Sequence, residues 1–217
     1  MYAEAELRRL APLLPRVSVH GPWSRAVKFR HLQGPPPGTP AGGAPQPLWS
    51  AGARKNGARL TPRDTSSVRS FDSLYVAEDH MTSLKEVRSV FDNPHGPAFV
   101  VSTPPWVLLT VVGQVTDVVD LTDMAVQAEL GTTSSELSGE WLWSQKEFLL
   151  GRAPMPPTQL LGGLAYESRV IKGLRYRSAP NVNSGVALLL FPDRLTSGDW
   201  LEVYDNESPP VLAQRLP

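Results

Sequence analysis

The stretch from Asn56 to Glu86 constrains the fold most, because a turn, a strand and a helix follow one another within it. The strand, Phe71 to Ala77, alternates so that Leu74 and Val76 face a core and Tyr75 lies on the opposite side. A period of two is the pattern of a strand with one covered face. Tyr75 therefore lines a cleft or packs in a second core, and the pattern leaves both open.

A helix is predicted after this strand, with Asp79 as its N-cap and an end near Phe91. Its apolar residues recur at helical spacing and predict the packed side: Met81, Leu84, Val87 and Phe91. Glu86 lies off that stripe. By pattern, it is a solvated helix residue as readily as a catalytic carboxylate.

A basic turn precedes the strand, within residues 49–62, and contains Arg54, Gly57 and Arg59. A glycine-marked turn of this kind can bring backbone amides and guanidinium groups close to a phosphate. Solvated arginines in a surface turn are the alternative interpretation.

The rest of the chain predicts a mixed α+β protein. The expected elements are helices over 3–14, 122–130 and 158–169, and strands over 24–32, 106–112, 115–121, 173–177, 185–191 and 200–204, with a tight turn at Gly113-Gln114. We predict an N-terminal helical extension at 1–22, a main domain at 23–205 that includes a Pro/Gly-rich loop at 34–47, and a C-terminal tail at 206–217.

Composition restricts the class of function. The chain has 217 residues, 41% of them hydrophobic, which suits one globular domain. Lys+Arg and Asp+Glu both number 21, so no global field favours direct binding to nucleic acid or an anionic membrane. There is no cysteine and there are four scattered histidines, so neither a disulfide scaffold nor a metal centre is expected.

The sequence also bears on localisation and on nucleotide binding. The N-terminus does not have the pattern of a secretory signal, and no apolar run is long enough to span a bilayer, so a cytoplasmic protein is expected. The sequence contains no G-x-G-x-x-G turn between strand and helix, no Walker-type loop and no G-x-S-x-G elbow. Ordinary dinucleotide, nucleoside triphosphate and serine hydrolase sites therefore lack their motifs.

Three blocks of the sequence resemble the RES domain family. NGARL at 56–60 resembles the family's glycine-glycine-arginine turn, FDSLYVAEDHMTSLKEV at 71–87 its strand and helix with tyrosine and glutamate, and IKGLRYRSAPN at 171–181 its serine-bearing segment. The resemblance extends over about 26–205. It departs from the family at Leu60, where tryptophan is usual after the arginine, and Arg54 competes with Arg59 as the site arginine.

The resemblance implies a mixed β-sheet with flanking helices, like that of ADP-ribosyltransferases, and consumption of NAD as a substrate without a metal. Many members are toxins that a neighbouring antitoxin, typically a helix-turn-helix protein, neutralises. Water as acceptor gives an NAD glycohydrolase, phosphate gives a phosphorylase, and a protein side chain gives a mono-ADP-ribosyltransferase. An inactive binding module is an alternative of another class.

The resemblance also implies roles for individual residues. Glu86 would stabilise the positive charge that develops on ribose when nicotinamide leaves. Arg59 would pair with the pyrophosphate or a ribose, and Tyr75 would stack on nicotinamide. Ser178 would donate a hydrogen bond to ribose or phosphate.

Further cations lie near these blocks. Arg30, with Lys28 and His31 beside it on the first strand, is expected to extend the phosphate-binding face, and surface placement is the alternative. Arg175 and Arg177, on either side of a tyrosine before the serine, have the same two interpretations.

Overall fold

The structure of the protein is a computed structural model that describes residues 1–32, 45–93, 96–100, 105–179 and 185–217. Of residues 30, 91–93 and 96–100 the backbone alone is described. Most of the Pro/Gly-rich loop predicted at 34–47 lies outside the described residues, as does the Asn-rich segment 181–184.

The chain folds into helices and strands that alternate irregularly. The helices are α1 (Glu4–Leu10), α2 (Ala51–Asn56), α3 (His80–Glu86), α4 (Met124–Glu129), α5 (Ser134–Ser138), α6 (Leu142–Leu149) and α7 (Pro157–Glu167). The strands are β1 (Val17–His20), β2 (Trp23–Lys28), β3 (Leu74–Ala77), β4 (Val90–Asn93), β5 (Gly96–Val100), β6 (Trp106–Asp120), β7 (Gly173–Arg177), β8 (Val186–Leu190), β9 (Trp200–Tyr204) and β10 (Leu212–Leu216). Short 3-10 turns occupy Ala11–Leu13, Phe29–His31 and Pro192–Arg194. The predicted α+β class is confirmed.

Eight strands form one mixed sheet in the order β10-β9-β6-β2-β3-β8-β7, with β1 paired to β6. All of these pairs are antiparallel, but the far end of β6 also pairs with β7 in parallel, through Val118–Asp120. β6 therefore closes the path β6-β2-β3-β8-β7 on itself. A separate antiparallel pair is formed by β4 and β5.

The prediction of two strands joined by a tight turn at Gly113-Gln114 is wrong. The structure has one strand of 15 residues there. Gly113 lies opposite Leu201 on β9, and a Cβ at this position would collide with the carbonyl oxygen of Trp200. Glycine is present because a neighbouring backbone approaches closely, not because the chain turns.

The helix after β3 is also shorter than predicted. Asp79 caps it as expected, its carboxylate accepting a hydrogen bond from the Thr82 amide at 2.8 Å. The helix ends at Glu86, because Arg88 takes a left-handed conformation with φ of 58° that returns the chain into β4. The expected apolar stripe is not the packed side: Met81 is exposed, and the buried positions are Thr82, Ser83 and Lys85.

Segments at both ends of the chain contribute to the same sheet. β1 pairs with β6, and β10 pairs with β9 through Leu212–Leu216. The first helix, α1, buries Leu7 and packs against α7. The domain limits predicted at 22/23 and 205/206 stay predictions, but residues beyond them are part of one sheet.

Two apolar clusters cover the two faces of the sheet. The first combines alternate residues of β7 and β8 with side chains of α1, α4, α5 and α7, including Leu174, Leu189, Leu7, Val126, Leu137 and Leu161. The second is formed by the other face of β3 and β8 with β6 and β9, including Leu74, Val76, Leu188, Val115 and Leu201. Within the described chain, no helix is long and apolar enough to cross a membrane.

Helix α7 packs directly on the turn that carries Arg59. Gly162 of α7 faces the backbone of Leu60, and a Cβ at this glycine would overlap the Leu60 carbonyl group. The adjacent Gly163 has no atom within 4 Å of its Cβ position. The two glycines of this helix therefore differ: the first is needed for close packing, and the second is not.

We expect Gly162→Ala to lower the free energy of unfolding by about 1–3 kcal/mol, since the helix or the turn must move apart. Gly163→Ala is the matched control and should raise it by about 0.5–1 kcal/mol, because alanine favours a helix over glycine. Urea denaturation of both variants measures the two effects. Equal stability of the two variants would contradict the packing argument.

Candidate active site

A cleft of about 520 Å³ opens on the sheet face beside α3. Its volume lies within the range of small-molecule sites. Residues of β2, β3, β6, β7 and β8 line it, together with parts of α2 and α3. Ala26, Ala77 and Ala187 contribute on three neighbouring strands, so the middle of the cleft floor is made of methyl groups.

Glu86, the last residue of α3, lines the cleft. Burial raises the pKa of its carboxyl group, while the Ser178 hydroxyl and the positive charge of Arg59 act in the opposite direction. Its Oε1 atom is buried without a hydrogen-bond partner among the described residues. A buried carboxylate oxygen that remains unpaired is costly, and such groups mark sites where a ligand supplies the partner.

Ser178 lies behind this carboxylate, immediately after β7. The residue is 1% exposed, and its amide donates to the Gly185 carbonyl at 2.8 Å. Its Oγ makes no hydrogen bond of ordinary geometry in the described chain, but it is close enough to Glu86 to lower the pKa of that carboxyl group. Ser178 is not among the residues that line the cleft, so its hydroxyl acts on Glu86 from the protein side.

Arg59 is buried, at 8% exposure, below the cleft. Its Nη1 donates to the carbonyl oxygens of Leu137 and Gly139, at 3.1 and 2.7 Å, and so ties the turn to the end of α5. Its charge also acts on Glu86. The guanidinium does not line the cleft, which differs from the expected contact with the pyrophosphate; that role stays a prediction.

Tyr75 lines the cleft, but its hydroxyl is committed to the Arg59 turn. The oxygen accepts a hydrogen bond from the Leu60 amide at 3.3 Å and lies 2.7 Å from Thr61 Oγ1, which in turn lies 2.8 Å from Ser73 Oγ. Burial raises the pKa of the Tyr75 phenol above its usual value. Tyr75 is therefore fixed as a neutral ring, suited to stacking.

Arg25 also lines the cleft, although the sequence did not predict it as a site residue. It sits on β2, and its guanidinium donates to the carbonyl oxygens of Tyr75 at 3.0 Å and Trp49 at 2.7 Å. Burial lowers its pKa to about 10, so it remains charged at neutral pH. Its Nε is buried without a partner within the described segments. The available signal was an arginine placed on the covered side of the first strand.

Tyr176 is a second residue that was missed. It is 2% exposed, lines the cleft and lies two residues before Ser178 on β7. Burial raises its pKa well above the usual value, and the nearby Glu86 charge adds to that rise. Two neutral phenol rings, Tyr75 and Tyr176, therefore stand around the carboxylate.

Of the other basic residues predicted near the site, the structure places some in the cleft and some away from it. Arg54 is exposed on α2 and pairs with Asp72 at 3.2 Å, away from the cleft. Lys28 and His31 line the cleft. For Arg30, between them in a 3-10 turn, the backbone alone is described, so its proposed contact stays a prediction.

The two arginines of β7 do not line the cleft. Arg175 pairs with Glu78 and Asp120, each at 2.7 Å, and Arg177 is exposed. Among the residues described, no group of three or more His, Asp or Glu side chains could hold a metal ion.

The fold and this cleft define the class: a mixed α+β domain with a cleft that is lined by a carboxylate from α3 and by two phenols and a buried arginine from the sheet. The family model of the RES domain matches residues 27–205, so the chain belongs to the RES domain family. No curated protein matches the sequence.

A solved structure shares the fold. It is the crystal structure of the M. tuberculosis MbcT-MbcA toxin-antitoxin complex, to which this chain is similar with a TM-score of 0.57 and 17% identity. The similarity covers 97% of this chain and 91% of the other.

The burial of Glu86 predicts a stability change in Glu86→Gln. Because the folded pKa of Glu86 is raised, its contribution to stability is present at acid pH and is lost as pH rises through that pKa. The neutral amide avoids this loss. We expect the variant to melt at a higher temperature than the wild type at pH 7–8, and at the same temperature in acid. Glu129→Gln, on the exposed face of α4, is the control. A lower melting temperature for Glu86→Gln at neutral pH would contradict this account.

Proposed function

We propose that this protein cleaves the bond between nicotinamide and ribose in NAD and acts as a toxin. The observation that carries the proposal is Glu86: a partly buried carboxylate with an unpaired oxygen, facing a cleft of the right size beside two neutral phenol rings. Membership of the RES domain family supports it.

The reaction requires a negative group near the ribose. As nicotinamide departs as a neutral molecule, positive charge grows on the ribose ring and the transition state resembles an oxocarbenium ion. A fixed carboxylate in a partly desolvated cleft stabilises that charge more strongly than water does. The unpaired Oε1 of Glu86 is free to accept a hydrogen bond from a ribose hydroxyl as well.

The other residues divide into those that touch the ligand and those that hold the site. Tyr75 offers its ring to nicotinamide, since its hydroxyl is bound to the turn. Arg25, charged and partly unpaired, is our choice for a phosphate contact from within the cleft. Arg59 and Ser178 act on Glu86 from behind and are positioning residues in this proposal.

The acceptor decides the reaction class. We propose that water or inorganic phosphate takes the ribose, which gives an NAD glycohydrolase or phosphorylase. Transfer of ADP-ribose to a protein side chain uses the same donor site and is the alternative that the products distinguish.

A toxin of this activity needs a neutralising partner. We propose an antitoxin, of helix-turn-helix type as is typical for the family, that binds the chain and restrains it until released. The similar fold found in a toxin-antitoxin complex supports this. The proposed site of action is the cytoplasmic NAD pool.

Glu86→Gln tests the proposed function directly. The amide keeps the shape of the side chain but lacks the charge, so we expect turnover of NAD to fall by about 10²–10³-fold. Release of nicotinamide is followed by chromatography in buffers with and without phosphate. Glu129→Gln, an exposed glutamate of α4, should keep wild-type activity.

The products identify the acceptor. Free ADP-ribose indicates water, ADP-ribose 1-phosphate in phosphate buffer indicates a phosphorylase, and a mass increase on added protein indicates transfer. If the purified wild type leaves NAD intact in every buffer and modifies no protein, the proposed function is wrong.

The pH dependence of turnover gives an independent check. Glu86 must be ionised, so kcat/KM should rise with pH and then level off, with a midpoint above the ordinary glutamate value of about 4.3. Ser178→Ala removes a hydroxyl that lowers the pKa of Glu86, and should move the midpoint to higher pH. Ser135→Ala, exposed on α5, should not. An unchanged midpoint in Ser178→Ala would show that the Ser178 hydroxyl does not lower the pKa of Glu86.

A further inference from the structure

Two pairs of aromatic rings and basic side chains line a part of the cleft that the chemistry above does not use. The Lys28 ammonium lies 5.3 Å from the centroid of the Trp106 ring. His31 and Trp49 stack with their ring centroids 5.6 Å apart and their planes at 19°. All four residues line the cleft, so two indole rings and two basic groups surround one region of it.

This region lies to one side of the proposed reaction centre. Lys28 and Trp106 face each other across β2 and β6. Glu86 acts on Tyr75 and Tyr176, which belong to β3 and β7. β2 lies between β6 and β3 in the sheet, so Trp106 and Tyr75 belong to strands that are separated by one other strand.

The two regions share one face of the sheet. Ser24 lies opposite Ala77, and alternate residues of a strand point to the same side. Lys28 of β2 therefore points to the same side as Tyr75 of β3. A ligand that lies across the strands can reach from Glu86 to Trp106 over the alanine floor without crossing a side chain of the opposite face.

Arg25 connects the two regions. Its guanidinium donates to the Tyr75 carbonyl on one side and to the Trp49 carbonyl on the other. Both acceptors are neutral backbone oxygens, so these two bonds do not neutralise the charge of Arg25. Arg25 therefore adds a second fixed positive charge to the cleft lining, beside the backbones of Tyr75 and Trp49, in addition to Lys28.

We propose that Trp49, Trp106 and Lys28 form a subsite for the ADP half of the substrate, and that the enzyme accepts dinucleotides in preference to mononucleotides. Indole rings stack on a purine base, and the ammonium and guanidinium groups bind phosphates. The proposal rests on the proposed function, because it takes the nicotinamide end to lie at Glu86. It adds that affinity comes from the end of the ligand that does not react.

Nicotinamide mononucleotide provides the comparison, since it contains the bond to be broken but lacks the AMP portion. We expect the wild type to have a kcat/KM for NAD at least tenfold higher than for the mononucleotide. Trp106→Leu should raise KM for NAD about tenfold with little change in kcat, because stacking of a base is worth roughly a factor of ten. Turnover of the mononucleotide should be unchanged.

The matched control is Trp143→Leu, since this tryptophan is 64% exposed on α6 and does not line the cleft. Trp49→Leu is the second variant, but Trp49 packs on Gly52 of α2, so its melting temperature is measured first. If that variant is unfolded, Trp106→Leu alone decides. Equal losses for NAD and mononucleotide in Trp106→Leu would overturn the subsite.

Calorimetric binding of ADP separates this proposal from the proposed reaction. ADP should bind the wild type and Trp143→Leu equally, Trp106→Leu about tenfold more weakly, and Lys28→Gln more weakly with less dependence on salt. Binding of ADP that is weakened in this way, in a protein that does not consume NAD, would support the subsite and overturn the reaction. Unaltered ADP binding in Trp106→Leu and Lys28→Gln would overturn the subsite whatever the activity.

Discussion

Backbone pairing along β6 is the constraint on which the rest of the structure depends. This one strand, Trp106–Asp120, bonds to β1 and β2 on one side and to β9 and β7 on the other. A strand that pairs with four partner strands has few unpaired amides and carbonyls left, and each pairing fixes the register of the next. The close approach of β9 at Gly113 follows from this crowding.

The site depends on a charged group that the protein keeps away from solvent. Arg59 is buried, and two backbone carbonyls and the nearby Glu86 charge compensate for the water it has lost. Breaking either carbonyl contact leaves a charge that the interior tolerates poorly. The same turn holds the hydroxyl of Tyr75, so the positions of the ring and the cation are fixed by one short segment. Helix α7 packs against that segment at Gly162, so this packing contact helps to fix the geometry of the site.

The alternation around Tyr75 and the N-cap at Asp79 could be predicted from the sequence, because both depend on neighbouring residues. Strand β6 could not, since a glycine required by a neighbouring strand and a glycine required by a turn look alike in one sequence. The end of α3 depends on the backbone of Arg88, which apolar spacing does not report. Arg25 was missed because burial of a cation is decided by distant carbonyls.

The three alanines of the cleft floor, Ala26, Ala77 and Ala187, have a consequence for how this protein can be studied. They are remote in sequence but adjacent across the strands, and Ala26 is the most exposed of the three. Leucine at Ala26 would extend into the cleft itself, away from the bonds that hold the carboxylate, the phenols and the arginines. Such a plugged form would keep the outer surface intact, and so could be used to capture whatever protein binds that surface.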